Sequence, residues 1–204
     1  MESLESLFQP GQVSTRAETK VAYSRDASRI LGPCQGVVWP ETVNDVVSLA
    51  QWAAETGIDL VPRGAGTGLC GGATPQNSIV IDSSRLQKIG ARDVQSKMVV
   101  VDAGIPLDLF NRTLRPDGLF LPVIPGSHRS ATIGGMIATN AAGLHAVRYG
   151  RMSDWVVDVV MVDGKGEIKR SAELIDSLNK GGPCQDRSSS NNDIFFSTVA
   201  LGKI

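Results

Sequence analysis

Aromatic residues make up only 5% of this 204-residue chain, and its formal charges nearly cancel at −1. The first scarcity leaves few platforms on which nucleic-acid bases could stack, and the second leaves no cationic field to draw in a phosphate backbone. Nucleic acid is excluded as a partner on both counts, and the same balance gives no broad pull toward an anionic membrane. Cysteines are few as well: Cys34, Cys70 and Cys184. Their spacing fits no zinc pattern and their odd number gives no disulfide framework, so they read as reduced, structural thiols. No apolar run approaches the roughly 18 residues of a membrane span. The opening, MESLESLFQPGQVS, carries two acids and no apolar core of a secretory signal. These readings predict a cytoplasmic protein, with peripheral membrane attachment left open.

What is present is ordinary globular material. The apolar share is 42% and the charged share 20%, enough for one domain with a real core or for two small lobes. Residues 1–29 are polar and read as irregular or loosely helical. A short strand at 36–40 is stopped by Pro40. A helix follows, with Thr42 as cap, Asp45 three residues on, apolar residues from Val43 to Ala53 at helical spacing, and Gly57 as its end. Strands are predicted at 59–61, 78–82 and 98–102, the last as a continuous apolar run. Pro106 opens a helix that lines up Leu107, Phe110 and Leu114, and the run Pro116, Asp117, Gly118 closes it. Residues 119–123 read as a short extended piece, 132–142 as a small-residue helix centred on 136–140, and 155–162 as a long strand turning at 163–166 into 167–170. Strand, helix, strand and strand thus occur twice, which predicts two α+β lobes with a groove between them. Residues 181–192, rich in Gly, Ser and Asn, read as a mobile loop.

Gly64, Gly66, Gly68, Gly71 and Gly72 crowd into residues 61–72, and 66–71 spell G-x-G-x-x-G. A Rossmann loop needs a strand before it and a helix that starts within it. Here the strand is present, but Ala73, Thr74, Pro75, Gln76 and Asn77 lead to another strand rather than a helix. A Walker A loop fails too, because no Gly-Lys-Ser/Thr ends it. The remaining choices are a plain glycine-rich turn and a nest whose backbone N–H groups converge on a diphosphate.

The surrounding residues favour the second choice. Pro33, then Val37, Val38, Trp39 and Pro40, then Thr42, Asp45 and Val46, then residues 61–68 in order, resemble the flavin domain of the vanillyl-alcohol-oxidase family. The likeness is greatest to the branch of D-lactate dehydrogenase and the glycolate oxidase large subunit. A second segment agrees: residues 121–127 (LPVIPGS) and 132–143 (TIGGMIATNAAG) are similar to that branch's second FAD segment. Tyr149 with Gly150, residues 157–164, and the opening 23–28 (YSRDAS) extend the likeness over 23–170.

The resemblance implies an α+β fold: a two-lobed PCMH-type FAD-binding domain, truncated at its C-terminal end. Its parts would be a lead-in at 1–29, a first lobe with the pyrophosphate loop at 30–90, a second lobe at 91–180, and a mobile loop and truncated tail at 181–204. It implies that Pro62, Arg63, Gly64, Ala65, Gly66, Thr67 and Gly68 wrap the FAD pyrophosphate through backbone donors. Pro125, Gly126, Ser127, Thr132, Ile133, Gly134 and Gly135 would line the other side. Asn140, Gly143 and Tyr149 would pack near the flavin and its ribityl chain. No His falls within 61–72, so FAD is expected to be noncovalent despite the nearby Cys70. His128 and His145 read as surface or packing residues, since no acid in the sequence is paired with them, and no metal site is expected.

The resemblance implies a C-terminal cap that holds the substrate, and the chain is expected to lack it. Residues 195–204 also depart from the glycine-containing segment that usually closes the flavin domain, which predicts the loss of flavin contacts and of a core strand. The function implied is oxidation of a small 2-hydroxy acid of the D-lactate or glycolate type, with hydride passing to flavin N5. A partner subunit would supply the cap or the electron acceptor. The alternatives are a flavin-binding subunit or a truncated remnant without activity of its own. No residue carries a catalytic assignment.

Overall fold

A computed structural model describes residues 3–171 and the backbone of 198–201. The loop expected at 181–192 and Cys184 lie outside the described residues. Within them the chain builds two β-sheets, each with its own apolar core. The first sheet joins β1 (Val13–Ser14), β2 (Cys34–Val38), β3 (Leu60–Arg63) and β4 (Ser78–Asp82) in the order β1-β2-β4-β3. β2 and β3 both run parallel to β4, with Leu60 beside Ile79 and Arg63 beside Asp82. Two parallel partners and a covering helix bury β4 along its whole length.

That covering helix is α2 (Val43–Thr56). Its start is the expected capping box: the Thr42 hydroxyl accepts from the Asp45 N–H at 3.2 Å, and Asp45 Oδ2 accepts from the Thr42 N–H at 3.1 Å. Its end is Gly57 in the left-handed conformation, at φ 70°. Val46, Leu49, Ala50 and Ala53 face Val38, Ile79 and Ile81 to form the first core. Ahead of the sheet, a short helix α1 (Ala17–Tyr23) gives residues 1–29 more order than their polar composition suggests.

The second sheet has the order β5-β6-β9-β7-β8, from β5 (Ile89–Asp93), β6 (Met98–Asp102), β7 (Val156–Val162), β8 (Ile168–Arg170) and β9 (Thr198–Leu201). The expected loss of a core strand near the C-terminus is corrected here: β9 pairs antiparallel with both β6 and β7 at the centre of the sheet. Its short Thr-Val-Ala-Leu sequence is overridden by two flanking strands that each need a partner. β5 went unpredicted because its charged sequence, IGARD, carries no apolar alternation; its residues 90–93 are all exposed. β6 is half-buried rather than buried throughout, with Val99 and Val101 inward and Met98 and Val100 outward.

α3 (Leu107–Leu114) covers this sheet with the three predicted residues: Leu107, Phe110 and Leu114 are at most 1% exposed. Burying each contributes roughly 1.5–3 kcal/mol. Residues 119–123 are not a strand. Asn111 takes the place of a strand neighbour, donating to the Leu121 carbonyl at 3.1 Å and accepting from its N–H at 2.7 Å. α4 (Ile133–Ala138) is shorter than the expected helix and ends before Asn140, which sits at φ 45°. A four-residue helix, α5 (Ala146–Tyr149), follows.

The candidate site where two glycine segments meet

The end of β3 and the start of α4 are brought together by contacts that tolerate only small residues. A Cβ on Gly64 would stand 2.2 Å from the Thr132 hydroxyl oxygen. One on Gly104 would stand 1.8 Å from the Ser83 carbonyl, and one on Gly134 2.5 Å from the Ala103 Cβ. Hydrogen bonds follow the same path. The Ser83 hydroxyl donates to the Arg63 carbonyl at 3.3 Å, Gly104 N–H to Leu86 at 3.0 Å, and Gly134 N–H to Ala103 at 2.8 Å. Bonds from Leu107 N–H to Ala131 and from Ile133 N–H to Ile105 then fix the second segment to the start of α3. The two glycine-rich segments, distant in sequence, therefore share one junction between the sheets.

Along residues 65–72 no backbone N–H donates to any acceptor among the described residues. Gly68 and Gly72 have open space where a Cβ would be, and Gly66 is left-handed at φ 65°. Free donors on a backbone without side chains are what a nest for an anion requires. The loop thus fits a diphosphate, while the absence of any helix after it confirms that it is no Rossmann loop. Pro62, Arg63, Gly64, Gly66 and Thr67 are half-buried; Ala65, Gly68 and Cys70 are exposed. The Arg63 guanidinium turns inward. It donates to the Arg25 carbonyl at 2.8 Å and stacks 5.2 Å from the centre of the Tyr23 ring.

Beneath the loop, the Tyr23 hydroxyl donates to the buried Asp82 carboxylate and accepts from the Trp39 indole at 3.2 Å. Burial, followed by the Asp82 hydrogen bond and charge, raises the Tyr23 pKa to about 12. This network ties α1, β4 and Trp39, the residue after β2, together below Arg63.

In the second segment the donors divide. Ile133, Gly134 and Gly135 spend their N–H groups inside the protein, the last on the Thr132 hydroxyl at 3.2 Å. Thr132, 5% exposed, keeps its hydroxyl proton to donate. Gly126 faces open space, Pro125 and Ser127 are half-buried beside it, and the carbonyl of Ser127 accepts from Ser130 and Ala131. Gly143 is needed because a Cβ would stand 2.5 Å from the Ile124 nitrogen. Asn140 accepts from the Ser153 N–H at 3.0 Å, and the Tyr149 carbonyl accepts from the Trp155 indole at 2.7 Å. The Tyr149 ring lies edge-on to His145 at 6.5 Å.

His128 departs from expectation: its Nδ1 lies 2.7 Å from an Asp108 carboxylate oxygen. A spacing of 20 residues gave no hint of this pair, which the packing of α3 against residues 125–131 creates. The pair borders a cleft of about 620 Å³, lined also by Arg112, Arg115, Phe120 and Ile124. Cys34 and Cys70 form no disulfide among the described residues. Among the described residues no group of three or more His, Cys, Asp or Glu side chains could hold a metal. No described helix is long and apolar enough to cross a membrane.

A mostly parallel sheet and an antiparallel sheet meet at a side-chain-poor seam with free N–H donors, an arrangement that fits an extended diphosphate. Residues 34–172 match the family described as FAD binding domain, and the chain belongs to that family. It is similar to the D-2-hydroxyglutarate dehydrogenase of Stutzerimonas stutzeri, at 31% identity over 170 residues that cover 82% of this chain and 37% of the relative. It is also similar to the glycolate oxidase subunit GlcD of Bacillus subtilis, at 32% identity, covering 74% and 33%. The D-lactate dehydrogenase of Archaeoglobus fulgidus is 36% identical over 63% of this chain and 29% of its own length. Among solved structures, an alkyldihydroxyacetonephosphate synthase shares the fold at TM-score 0.80 and 19% identity, covering 98% of this chain and 39% of that one. The chain thus spans about a third of the length of these relatives.

Proposed function

We propose that this chain is the FAD-holding part of an oxidoreductase that acts on a small 2-hydroxy acid of the D-lactate, glycolate or 2-hydroxyglutarate type. The observation that carries the reading is the run of free N–H groups at 65–72, standing at the junction where Gly64 meets Thr132. In this reading the backbone from Arg63 to Gly68 holds the pyrophosphate, with Pro62 setting the strand's exit. Ser127 and Thr132 offer hydroxyl donors from the opposite side, beside Pro125 and Gly126. Ile133, Gly134 and Gly135 set the approach distance. Asn140, Gly143 and Tyr149 shape the wall toward the flavin.

When bound, FAD supplies the two-electron acceptor for the hydride leaving the α-carbon of the acid. The chain's own part is to fix that cofactor in place. The names of the dehydrogenase relatives support the substrate class. The absence of His from 61–72, with Cys70 exposed, supports noncovalent binding. The small, odd number of cysteines supports a reducing, cytoplasmic setting. Electrons would leave to a quinone, a cytochrome or a partner subunit.

A second reading keeps FAD binding and assigns turnover to a complex with another subunit. It is favoured by the relative that is itself named a subunit. One experiment separates them: the purified chain is loaded with FAD and assayed with D-lactate, glycolate and D-2-hydroxyglutarate against a redox dye. Flavin bleaching by one of these acids supports the first reading. Bound flavin that no acid bleaches supports the second, and no flavin binding overturns both.

A further inference from the structure

Three ties join the glycine loop to one short stretch of backbone. At the loop's start, Arg63 Nη1 donates to the Arg25 carbonyl at 2.8 Å. At its middle, the Gly66 carbonyl accepts from the Ala27 N–H at 2.9 Å. At its end, the Ala73 N–H donates to Asp26 Oδ2 at 3.2 Å, while Asp26 Oδ1 accepts from the Ser28 N–H at 2.9 Å. Asp26 is only 6% exposed. Among the described residues it forms no ion pair with Arg63: the Arg63 guanidinium goes to the Arg25 carbonyl, and the Asp26 carboxylate accepts from the Ser28 and Ala73 N–H groups. Burial alone would raise the Asp26 pKa, but the Ser28 hydroxyl and N–H, the Ala73 N–H and the Thr74 hydroxyl outweigh burial and hold it below the usual carboxylate range.

A buried carboxylate is costly unless its acceptors are filled. Here they are filled from both sides, by the arm and by the far end of the loop. A loop with this much glycine would otherwise sample many conformations, and ordering it on ligand binding would weaken affinity. The ties engage the loop's flanks and one carbonyl, yet leave the N–H groups of 65–72 free.

We propose that residues 23–28 form a brace that holds the pyrophosphate loop in its binding shape before the cofactor arrives, with Asp26 and the Arg63 side chain as its positioning residues. The proposal rests on the FAD reading above and adds to it. Arg63 acts through its inward guanidinium on the loop, not as a charge aimed at phosphate. Asp26 touches no cofactor and acts through Ala73.

The test uses Asp26→Asn in the full chain, titrated with FAD and with FMN, which has one terminal phosphate and no diphosphate bridge. An amide can accept at one position only, so the tie to Ala73 or that to Ser28 is lost. The expected result is FAD affinity weaker by about 10- to 100-fold, FMN affinity changed by less than about 3-fold, and faster amide exchange at Ala27 and Thr74, whose N–H groups donate to the loop carbonyls of Gly66 and Gly71. Equal losses for FAD and FMN would mark a merely structural residue and overturn the proposal, as would unchanged FAD affinity. Should Asp26→Asn fail to fold, Arg63→Lys, which loses the planar reach to Arg25 and the stack on Tyr23, is expected to weaken FAD by roughly 3- to 10-fold at constant FMN affinity. If the wild-type chain binds no FAD, the functional reading fails, and exchange alone decides the brace: acceleration at Ala27 and Thr74 supports it, and none refutes it.

Discussion

Replacing Gly64 by Ala tests the seam on which the site depends. The added Cβ would lie 2.2 Å from Thr132 Oγ1 and 3.4 Å from Thr132 Cβ. Thr132 cannot swing aside cheaply. It is 5% exposed, and its hydroxyl caps α4 by accepting from Gly135. Relief therefore costs the cap, about 1 kcal/mol, plus strain from overpacking of about 1–3 kcal/mol. A loss of about 2–4 kcal/mol in urea unfolding is expected. Thr132→Ala alone forfeits the cap and about 1 kcal/mol, but it also removes the oxygen that the added methyl group would strike. Gly64→Ala combined with Thr132→Ala should then be less damaging than the sum of the two, by at least about 1 kcal/mol. Additivity within about 0.3 kcal/mol would mean that the two segments do not touch, and the reasoning about the junction would be wrong.

Other outcomes follow from the same geometry. Gly134→Ala forces a Cβ to 2.5 Å from Ala103 Cβ and 3.0 Å from its carbonyl oxygen, and should lower stability by about 1–3 kcal/mol in denaturant melts. Thr42→Ala removes the α2 capping box far from the seam; about 1 kcal/mol should be lost while FAD affinity, read by flavin fluorescence, stays the same. Tyr23, with its pKa raised to about 12, should remain protonated well above the usual tyrosine range in a spectrophotometric titration. Because the folded value lies above the unfolded one, its contribution to stability is intact below pH ~10 and fades as pH rises toward ~12; Tyr23→Phe should flatten that alkaline limb. Asp26 has the opposite sign: its folded value is lowered, so its contribution is present at neutral pH and fades in acid, and Asp26→Asn should reduce the acid sensitivity of unfolding.

Local signals carried much of the architecture. Thr42, Asp45 and Gly57 fixed both ends of α2, and Leu107, Phe110 and Leu114 marked the buried face of α3. The same kind of reading was blind to elements whose existence depends on neighbours. β5 (IGARD) has no apolar alternation and only a strand partner can explain it, and β9 is held between β6 and β7. Within the site, the glycines announced a loop, and their order in two segments suggested one cofactor. The sequence offered no means of telling which glycines serve the ligand and which serve packing. That distinction came from neighbours: Gly64, Gly134 and Gly143 are crowded by protein, whereas Gly68, Gly72 and Gly126 face open space. The inward turn of Arg63 and the pairing of His128 with Asp108 were hidden for the same reason, since each depends on a residue at least 20 positions away.

The central claim is that residues 64–68 and 125–135 grip one cofactor. Amide exchange of the full chain with and without FAD tests it most directly. The account predicts slower exchange in both segments at once, saturating at one FAD per chain. Protection of one segment alone, or FAD binding that leaves both unprotected, would contradict it.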